Sequence, residues 1–306
     1  MSKKQWKRPT TPFVRGGDLL DGKFENIDIG FYGQIPRIIH QTWKSETMAP
    51  DLLYWFDGWK LNHPEALHVL WLDEDNERLV AKHFPQFLIQ WNALDQIIMK
   101  TDIARLMYLY QFGGIYADLD YESFQNIIPF LPQTNGFMLV HSNVKLNEIT
   151  QNSLMLSVPH HPVVLEILHS IAENIQLLYV EKNTTPYKFT DSLYISPYYT
   201  NLLSNDVTRP IMKHYLILHT TGPTGVDRAL LRIAFTKKQL MHDVAILPTN
   251  PFLIGPVAQH HYNNSWNSTC YKNLIIISCI ILIIIILIVA ITSHYTTRNH
   301  YLKKNN

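Results

Sequence analysis

Cysteine is nearly absent from this chain. The two that occur, Cys270 and Cys279, lie beside or inside an apolar run near the C-terminus, so no disulfide can form within the residues before them. That excludes a disulfide-stapled secreted scaffold. An excess of charge of one sign is missing too: Lys plus Arg is 26 and Asp plus Glu is 25, a formal charge of +1. Without a global basic field, nucleic acid is not expected as a partner. Charged residues make up 17% against 46% hydrophobic ones, which excludes a disordered chain. No internal repeat or low-complexity tract precedes the apolar run. The basic N-terminus MSKKQWKRPTTPFVRGGDLL has no apolar stretch of signal length, so no cleaved leader is expected. What remains is a chain of 306 residues, enough for one large α/β domain or two small ones.

The apolar run is LIIISCIILIIIILIVAI, residues 274–291, in which only Ser278 and Cys279 are weakly polar. Eighteen residues at about 1.5 Å each nearly span the ~30 Å hydrocarbon core, and with no polar face the run reads as a single transmembrane helix. Its short basic tail, 292–306, carries Arg298, Lys303 and Lys304 against Lys272 alone just before the run. This asymmetry favours a cytosolic tail, whereas a sole C-terminal helix ordinarily leaves the folded body in the cytosol, so orientation stays open. Sequons at Asn183, Asn263 and Asn267 are short enough to arise by chance.

Residues 1–34 are punctuated by Pro9, Pro12, Gly16, Gly17, Gly22, Gly30 and Gly33 and read as an extended lead-in. The fold is expected over 35–268. A buried first strand is predicted at 35–43, a helix at 52–59, a second strand at 66–72 and a helix that Asp73 can cap and Pro85 ends. Ile103, Leu106, Met107 and Tyr110 repeat at helical spacing until Gly113-Gly114 stops them, and 115–119 is the next strand. Further strands at 137–141, 154–158 and 244–247, with helices at about 163–179 and 226–235, complete an alternation that predicts a mostly parallel sheet with helices on both faces.

The strongest chemical signal is Gly113-Gly-Ile-Tyr-Ala-Asp-Leu-Asp120, which puts two carboxylates where a buried strand runs out. Ligands of open α/β sheets bind beyond the carboxyl ends of strands, and paired Asp oxygens there suit Mg²⁺ or Mn²⁺ carrying a diphosphate. A solvated turn is the plain alternative for an isolated Asp-x-Asp, but the buried strand and the Gly-Gly stop favour a site. An EF-hand fails, since Ser123 and Pro129 fall where Gly and Glu are needed. Asp118, Asp120 and Glu122 also leave a glycosidase pair open, because their spacing alone does not separate hydrolase from transferase. Asp102 and Arg105 share one helix face, as a simple ion pair or as groups for a sugar hydroxyl and a phosphate. Trp43 reads first as a core residue, and His160-His161 as a loop. Thr221-Gly-Pro223 is a turn that could equally shape an acceptor wall, and Tyr262 and Trp266 could serve as juxtamembrane anchors.

Six motifs in order, Ile35-Pro-Arg-Ile-Ile-His-Gln-Thr-Trp-Lys44, Lys100-Thr-Asp-Ile-Ala-Arg105, Gly113-Gly-Ile-Tyr-Ala-Asp-Leu-Asp120, Ser157-Val-Pro-His-His-Pro162, Thr221-Gly-Pro223 and His260-His-Tyr-Asn-Asn-Ser-Trp266, resemble the DXD-containing glycosyltransferase family 32 over about residues 35–266. The likeness is to its mannosyl phosphorylinositol ceramide synthase and initiation-specific α-1,6-mannosyltransferase branches. Two departures stand out: Lys100-Thr101 precedes Asp102 where Ala-Ser or Arg-Ala is common, and Leu106 replaces an aromatic.

The resemblance implies a GT-A-like α/β fold, a nucleotide-sugar donor (GDP-mannose favoured, a UDP-sugar the alternative), Mn²⁺ or Mg²⁺, and transfer with retention. It casts Asp118 and Asp120 as the metal-binding pair, Asp118 also reaching the donor. Asp102 and Arg105 become donor-sugar contacts, while Trp43 and Tyr116 face the nucleotide. His261, Ser265 and Trp266 belong to a loop that closes over the diphosphate, His261 completing the metal shell with His260 the neighbouring alternative. The expected enzyme is a membrane-anchored hexosyltransferase, mannose favoured, of the Golgi or endomembranes. Its acceptor is expected to be a glycolipid such as inositol phosphorylceramide. Protein-linked or polysaccharide glycans, or an inactive tethered sugar-nucleotide binder, are the alternatives.

Overall fold

A computed structural model of the chain describes residues 13–24, 28–142, 149–180 and 209–262, together with the backbone of two short strands at 187–188 and 194–195. Contacts divide the chain into one unit of residues 1–184 and 217–263 and a second of 185–216 and 264–306. In the second unit the strands β10 (Tyr187–Lys188) and β11 (Tyr194–Ile195) pair antiparallel. Everything below concerns the first unit.

Its centre is a seven-stranded sheet. In chain order its strands are β1 (Val14–Arg15), β4 (Ile38–Thr42), β5 (Leu67–Trp71), β6 (Gly114–Ala117), β8 (Phe137–His141), β9 (Thr150–Ser157) and β12 (Val244–Leu247). Spatially they run β1-β5-β4-β6-β9-β8-β12. Only β9 is antiparallel to its neighbours, so the expected mostly parallel α/β sheet is present. The short strands β2 (Phe31–Tyr32) and β3 (Ile35–Pro36) form one antiparallel ribbon, and β7 (Tyr121–Ser123) and β13 (Ala258–His260) form another. Strands β4 and β6 are buried along their whole length, and β4 carries two buried polar residues, His40 and Gln41, within its run.

Helices α2 (Pro50–Asn62), α3 (Asp73–His83), α4 (Leu88–Ala93), α5 (Ile97–Phe112), α6 (Pro162–Ile175) and α8 (Pro223–Thr236) surround the sheet, and α1 (Gly16–Leu20) precedes them; α7 (Arg209–Thr220) belongs to this unit only from Ile217 onward. Alternation along each strand splits the core. Val69, Trp71, Tyr116, Leu139 and Met155 face the apolar sides of α3, α5, α6 and α8. Ile39, Ile115, Ala117, Met138 and Leu154 face Trp59, Tyr121, Phe252 and Val257. The turn from α5 into β6 requires glycine: Gly113 and Gly114 have φ of 67° and 100°. A Cβ on Gly114 would lie 2.5 Å from the Ile38 carbonyl oxygen.

Two expectations need correction. The segment before residue 35 is not merely a lead-in: Val14 and Arg15 add a parallel edge strand against Val69 and Leu70, and Gly16 packs on Trp71. Elements of two and five residues are too short to leave a periodic signal. Asp73 does not cap α3; Asp75 does, its Oδ2 accepting the Leu72 N–H at 3.0 Å. None of the described helices is long and apolar enough to cross a membrane. The run 274–291 and the tail 292–306 lie outside the described residues.

Candidate active site at the strand ends

Strand β6 ends at Ala117 and delivers Asp118 directly beyond it. The Asp118 N–H donates to the Ser153 carbonyl of β9 at 2.8 Å, and the Tyr121 N–H donates back to the Asp118 carbonyl at 3.0 Å, closing a tight turn with Asp120 at its tip. The chain returns as β7, where Tyr121 stands opposite His260 of β13. The two rings stack at 5.4 Å, and the Tyr121 hydroxyl donates to the Phe252 carbonyl at 2.6 Å. Pinned in this way, His260 Nε2 lies 3.1 Å from Asp120 Oδ1 and 3.9 Å from Asp118 Oδ2. Ligand atoms of Asp118, Asp120 and His260 all fall within 4.8 Å of one another. Two carboxylate oxygens and an imidazole nitrogen so placed fit a divalent cation such as Mn²⁺ or Mg²⁺.

The histidine at this cluster is His260, not the expected His261. Neighbours at a strand end point to opposite faces, and His261 meets Glu122 at 2.8 Å while stacking on Trp55 at 4.3 Å and 11°.

Behind the cluster sits Arg105. From the buried face of α5 its Nη1 reaches Asp118 Oδ1 at 3.0 Å and the Asn152 carbonyl at 2.9 Å, and its Nη2 reaches Asp102 Oδ1 at 3.2 Å. Asp102 and Arg105 are each 4% exposed, so the pair read from their spacing exists within a larger network. The Asn152 side-chain amide donates to Asp102 Oδ1 at 3.1 Å, and the Thr221 hydroxyl donates to Oδ2 at 3.0 Å. Burial outweighs Arg105 and these bonds and pushes the Asp102 carboxyl up to about 6. Burial also raises Asp118, against the pull of Arg105. Burial disfavours the Arg105 charge, but Asp118, Tyr116 and Asp102 overcome it and hold the guanidinium protonated.

Tyr116 does not offer a face to a nucleotide as expected. It is 1% exposed, its ring lies 4.8 Å from the Arg105 guanidinium carbon, and its hydroxyl donates to Asp118 Oδ1 at 2.6 Å. A side chain on a parallel strand covered by helices has no open face left. Trp43, directly after β4, is half-buried against Leu52, Phe56, Leu70 and Leu119. Ser265 and Trp266 lie outside the described residues.

Sequence reading missed Asn152 and Asp227. Asp227 on α8 accepts the Ile149 N–H at 2.6 Å, the Thr150 N–H at 3.0 Å and the Thr150 hydroxyl at 2.7 Å. It thereby ties the start of β9 to the helix that Thr221-Gly-Pro223 opens, so that Asn152 and Thr221 converge on Asp102. The only prior signal was the Thr-Gly-Pro turn itself.

Residues 51–137 match the family described as "Glycosyltransferase sugar-binding region containing DXD motif", a span that includes Asp102, Arg105, Asp118 and Asp120. This identifies that stretch of the chain as a DXD-type glycosyltransferase region, in agreement with the motifs. Inositol phosphoceramide mannosyltransferase 2 of Schizosaccharomyces pombe is 32% identical over 154 residues, covering 48% of this chain and 41% of the relative. Inositol phosphoceramide mannosyltransferase 1 of the same organism is 24% identical over 221 residues, covering 71% and 67%. Mannosyl phosphorylinositol ceramide synthase CSH1 of Saccharomyces cerevisiae is 31% identical over 140 residues, covering 45% and 35%. The chain thus spans less than half the length of the first and third of these relatives, 41% and 35%. Among solved structures, the UDP-bound glycosyltransferase domain from the YGT toxin is similar with a TM-score of 0.48 at 11% identity, covering 77% of this chain and 82% of that one.

Proposed function

We propose that this chain is a metal-dependent, retaining hexosyltransferase of GT-A-like fold that moves mannose from GDP-mannose to the inositol phosphorylceramide class of glycolipid. The observation that carries the reading is the convergence of Asp118, Asp120 and His260 to within 4.8 Å at the end of β6, backed by the buried Arg105. The DXD-type match over 51–137 supports the transferase class, and the printed names of the relatives support mannose and the lipid acceptor.

In this reading Asp118, Asp120 and His260 hold a divalent cation, which when bound supplies positive charge to the donor diphosphate. Arg105 adds a fixed, desolvated charge from behind, where the low dielectric strengthens it. Asp102 fixes the guanidinium fork and, with its lone pairs beyond those taken by Asn152 and Thr221, accepts from a donor-sugar hydroxyl. The acceptor hydroxyl oxygen bonds to the anomeric carbon from the face that the nucleotide leaves as the bond to the diphosphate oxygen breaks, and the hydroxyl proton passes to that departing oxygen, so that retention needs no separate nucleophile on the protein. By the family resemblance, Ser265 and Trp266 would contact the diphosphate, Trp43 would border the nucleotide, and the apolar run 274–291 would serve as a membrane anchor.

The test is metal-dependent nucleotide release and transfer by the full chain, comparing GDP-mannose with UDP-sugars. Losing one preorganised charge contact costs about 2.7 to 4 kcal/mol, so Asp118→Asn and Asp120→Asn should each lower turnover by about a hundredfold or more with the circular dichroism unchanged. Near wild-type activity in both variants would overturn the assignment.

A further inference from the structure

A second histidine meets a second carboxylate on the other face of the β7–β13 ribbon. Tyr121, Ser123 and Ala258 point inward and are buried, so alternation turns Glu122, Phe124, Gln259 and His261 outward together, with Glu122 paired to Gln259 and Ile254 bridged to the same Gln259. His261 Nε2 lies 2.8 Å from Glu122 Oε2, and Tyr54 of α2 hydrogen-bonds the same carboxylate. The His261 N–H donates to the Asp120 carbonyl at 2.9 Å, which places this group directly beside the metal-type cluster.

Two features distinguish the group from a strut between α2 and the ribbon. That strut already exists: the Trp59 indole N–H donates to the Tyr121 carbonyl at 2.6 Å, and the Asn62 amide donates to the Ser123 carbonyl at 2.7 Å. In addition, the polar pair is rimmed by exposed apolar side chains, Tyr54 at 48%, Phe124 at 45% and Ile254 at 53%. A carboxylate with spare lone pairs beside an imidazole and aromatic rings is suited to vicinal hydroxyls and to the C–H face of a ring polyol. The apolar rim suits the start of a lipid chain.

We propose that Glu122 and His261, with Trp55 and Tyr54, form the acceptor subsite, which holds the cyclitol ring of an amphiphile's head group by its hydroxyls while Phe124 and Ile254 meet its apolar part. The proposal rests on the transferase reading above. It is tested by binding, independently of turnover. Saturation-transfer NMR on the full chain, with Mn²⁺ and GDP present, uses glycerophosphoinositol as probe and methyl α-mannoside as a separate arm. Calorimetry of GDP with Mn²⁺ runs alongside on each variant.

The expected result is that glycerophosphoinositol binds the wild type and that Glu122→Gln weakens it by about tenfold or more, since hydrogen bonds to charged groups carry that much discrimination. GDP affinity in the presence of Mn²⁺ should stay within about twofold, as no charge of the Asp118–Asp120–His260 cluster is altered. Wild-type binding of the mannoside in place of the cyclitol phosphate, unchanged probe binding in Glu122→Gln, or equal loss of GDP and probe binding in that variant would each overturn the subsite. Failure of the wild type to bind GDP with Mn²⁺ would instead overturn the transferase reading.

Discussion

Two groups of buried ionisable side chains in this unit are built in opposite ways. Within the core, His40, His63 and His68 are held neutral by burial and bonded chiefly to the main chain, His68 through one ring nitrogen only. His40 Nε2–H donates to the Gly113 carbonyl at 2.9 Å while Nδ1 accepts from the Trp71 indole at 3.0 Å. His63 donates to the Trp59 carbonyl at 3.1 Å and accepts the Ile127 N–H at 3.0 Å, and His68 donates to the His63 carbonyl at 3.2 Å. At the strand ends, Asp102, Arg105 and Asp118 face one another as an ion-pair network, Arg105 lying 3.2 Å from Asp102 and 3.0 Å from Asp118. Neutral hydrogen bonds lock a core, whereas opposed charges behind the strand ends leave a field that a charged ligand can join. Burial alone therefore does not mark a site; the choice of partner does.

Acidification should divide the two groups most strongly. Burial pushes His40 and His63 down to about 4 and His68 to about 3, from 6.5. Below pH 6.5 the unfolded chain takes up protons that the folded one refuses, so stability present above 6.5 is lost as pH falls toward 4, on the order of 3 kcal/mol per histidine. Asp102 works in the other direction: its folded value near 6 exceeds the usual 3.8, so the fold gains protons across that window and offsets roughly one histidine's share. Urea unfolding at pH 7, 5.5 and 4.5 should show a net fall of several kcal/mol. Flat stability across that range would mean the histidines are not held neutral.

A smaller but more local effect is expected from Arg105→Met. Removing the guanidinium leaves buried Asp102 and part-buried Asp118 without their shared cation, and breaking a buried pair from one side costs about 3 to 5 kcal/mol, the lower end applying where one partner is part-exposed. The melting transition should fall at pH 7 and recover in part near pH 5, where the carboxyls are free to protonate. A uniform loss at both values would show that packing against Tyr116, not charge, is what Arg105 supplies.

The contrast also explains what could be read in advance. Apolar periodicity revealed α5, β6 and their Gly-Gly turn because these residues obey local rules, and Asp118 and Asp120 stood out as charges at the end of a buried strand. Asp102 and Arg105 were legible as neighbours on one helix face. Asn152 and Asp227 were not, because their meaning depends on β9 running antiparallel beside β6, a pairing that no local pattern encodes. The identity of the cluster histidine was hidden for a related reason: choosing between His260 and His261 requires the β7–β13 register, since a one-residue slip exchanges the two faces. Val14–Arg15 escaped because a two-residue strand has no period.

Thr221 gives the finest test of the charged group. Its hydroxyl donates to Asp102 Oδ2 at 3.0 Å and favours the ionised carboxylate, acting with Arg105 and Asn152 against burial. Thr221→Val preserves shape and removes only that donor, at a cost of about 1 kcal/mol in stability. With one stabilising bond gone, the carboxyl of Asp102 should titrate at a higher pH than its present value of about 6, and the acidic limb of the pH–rate profile should move upward with it. An unshifted limb with the same loss of stability would show that Thr221 anchors the turn before α8 without setting the charge of Asp102, leaving Arg105 and Asn152 as its controllers.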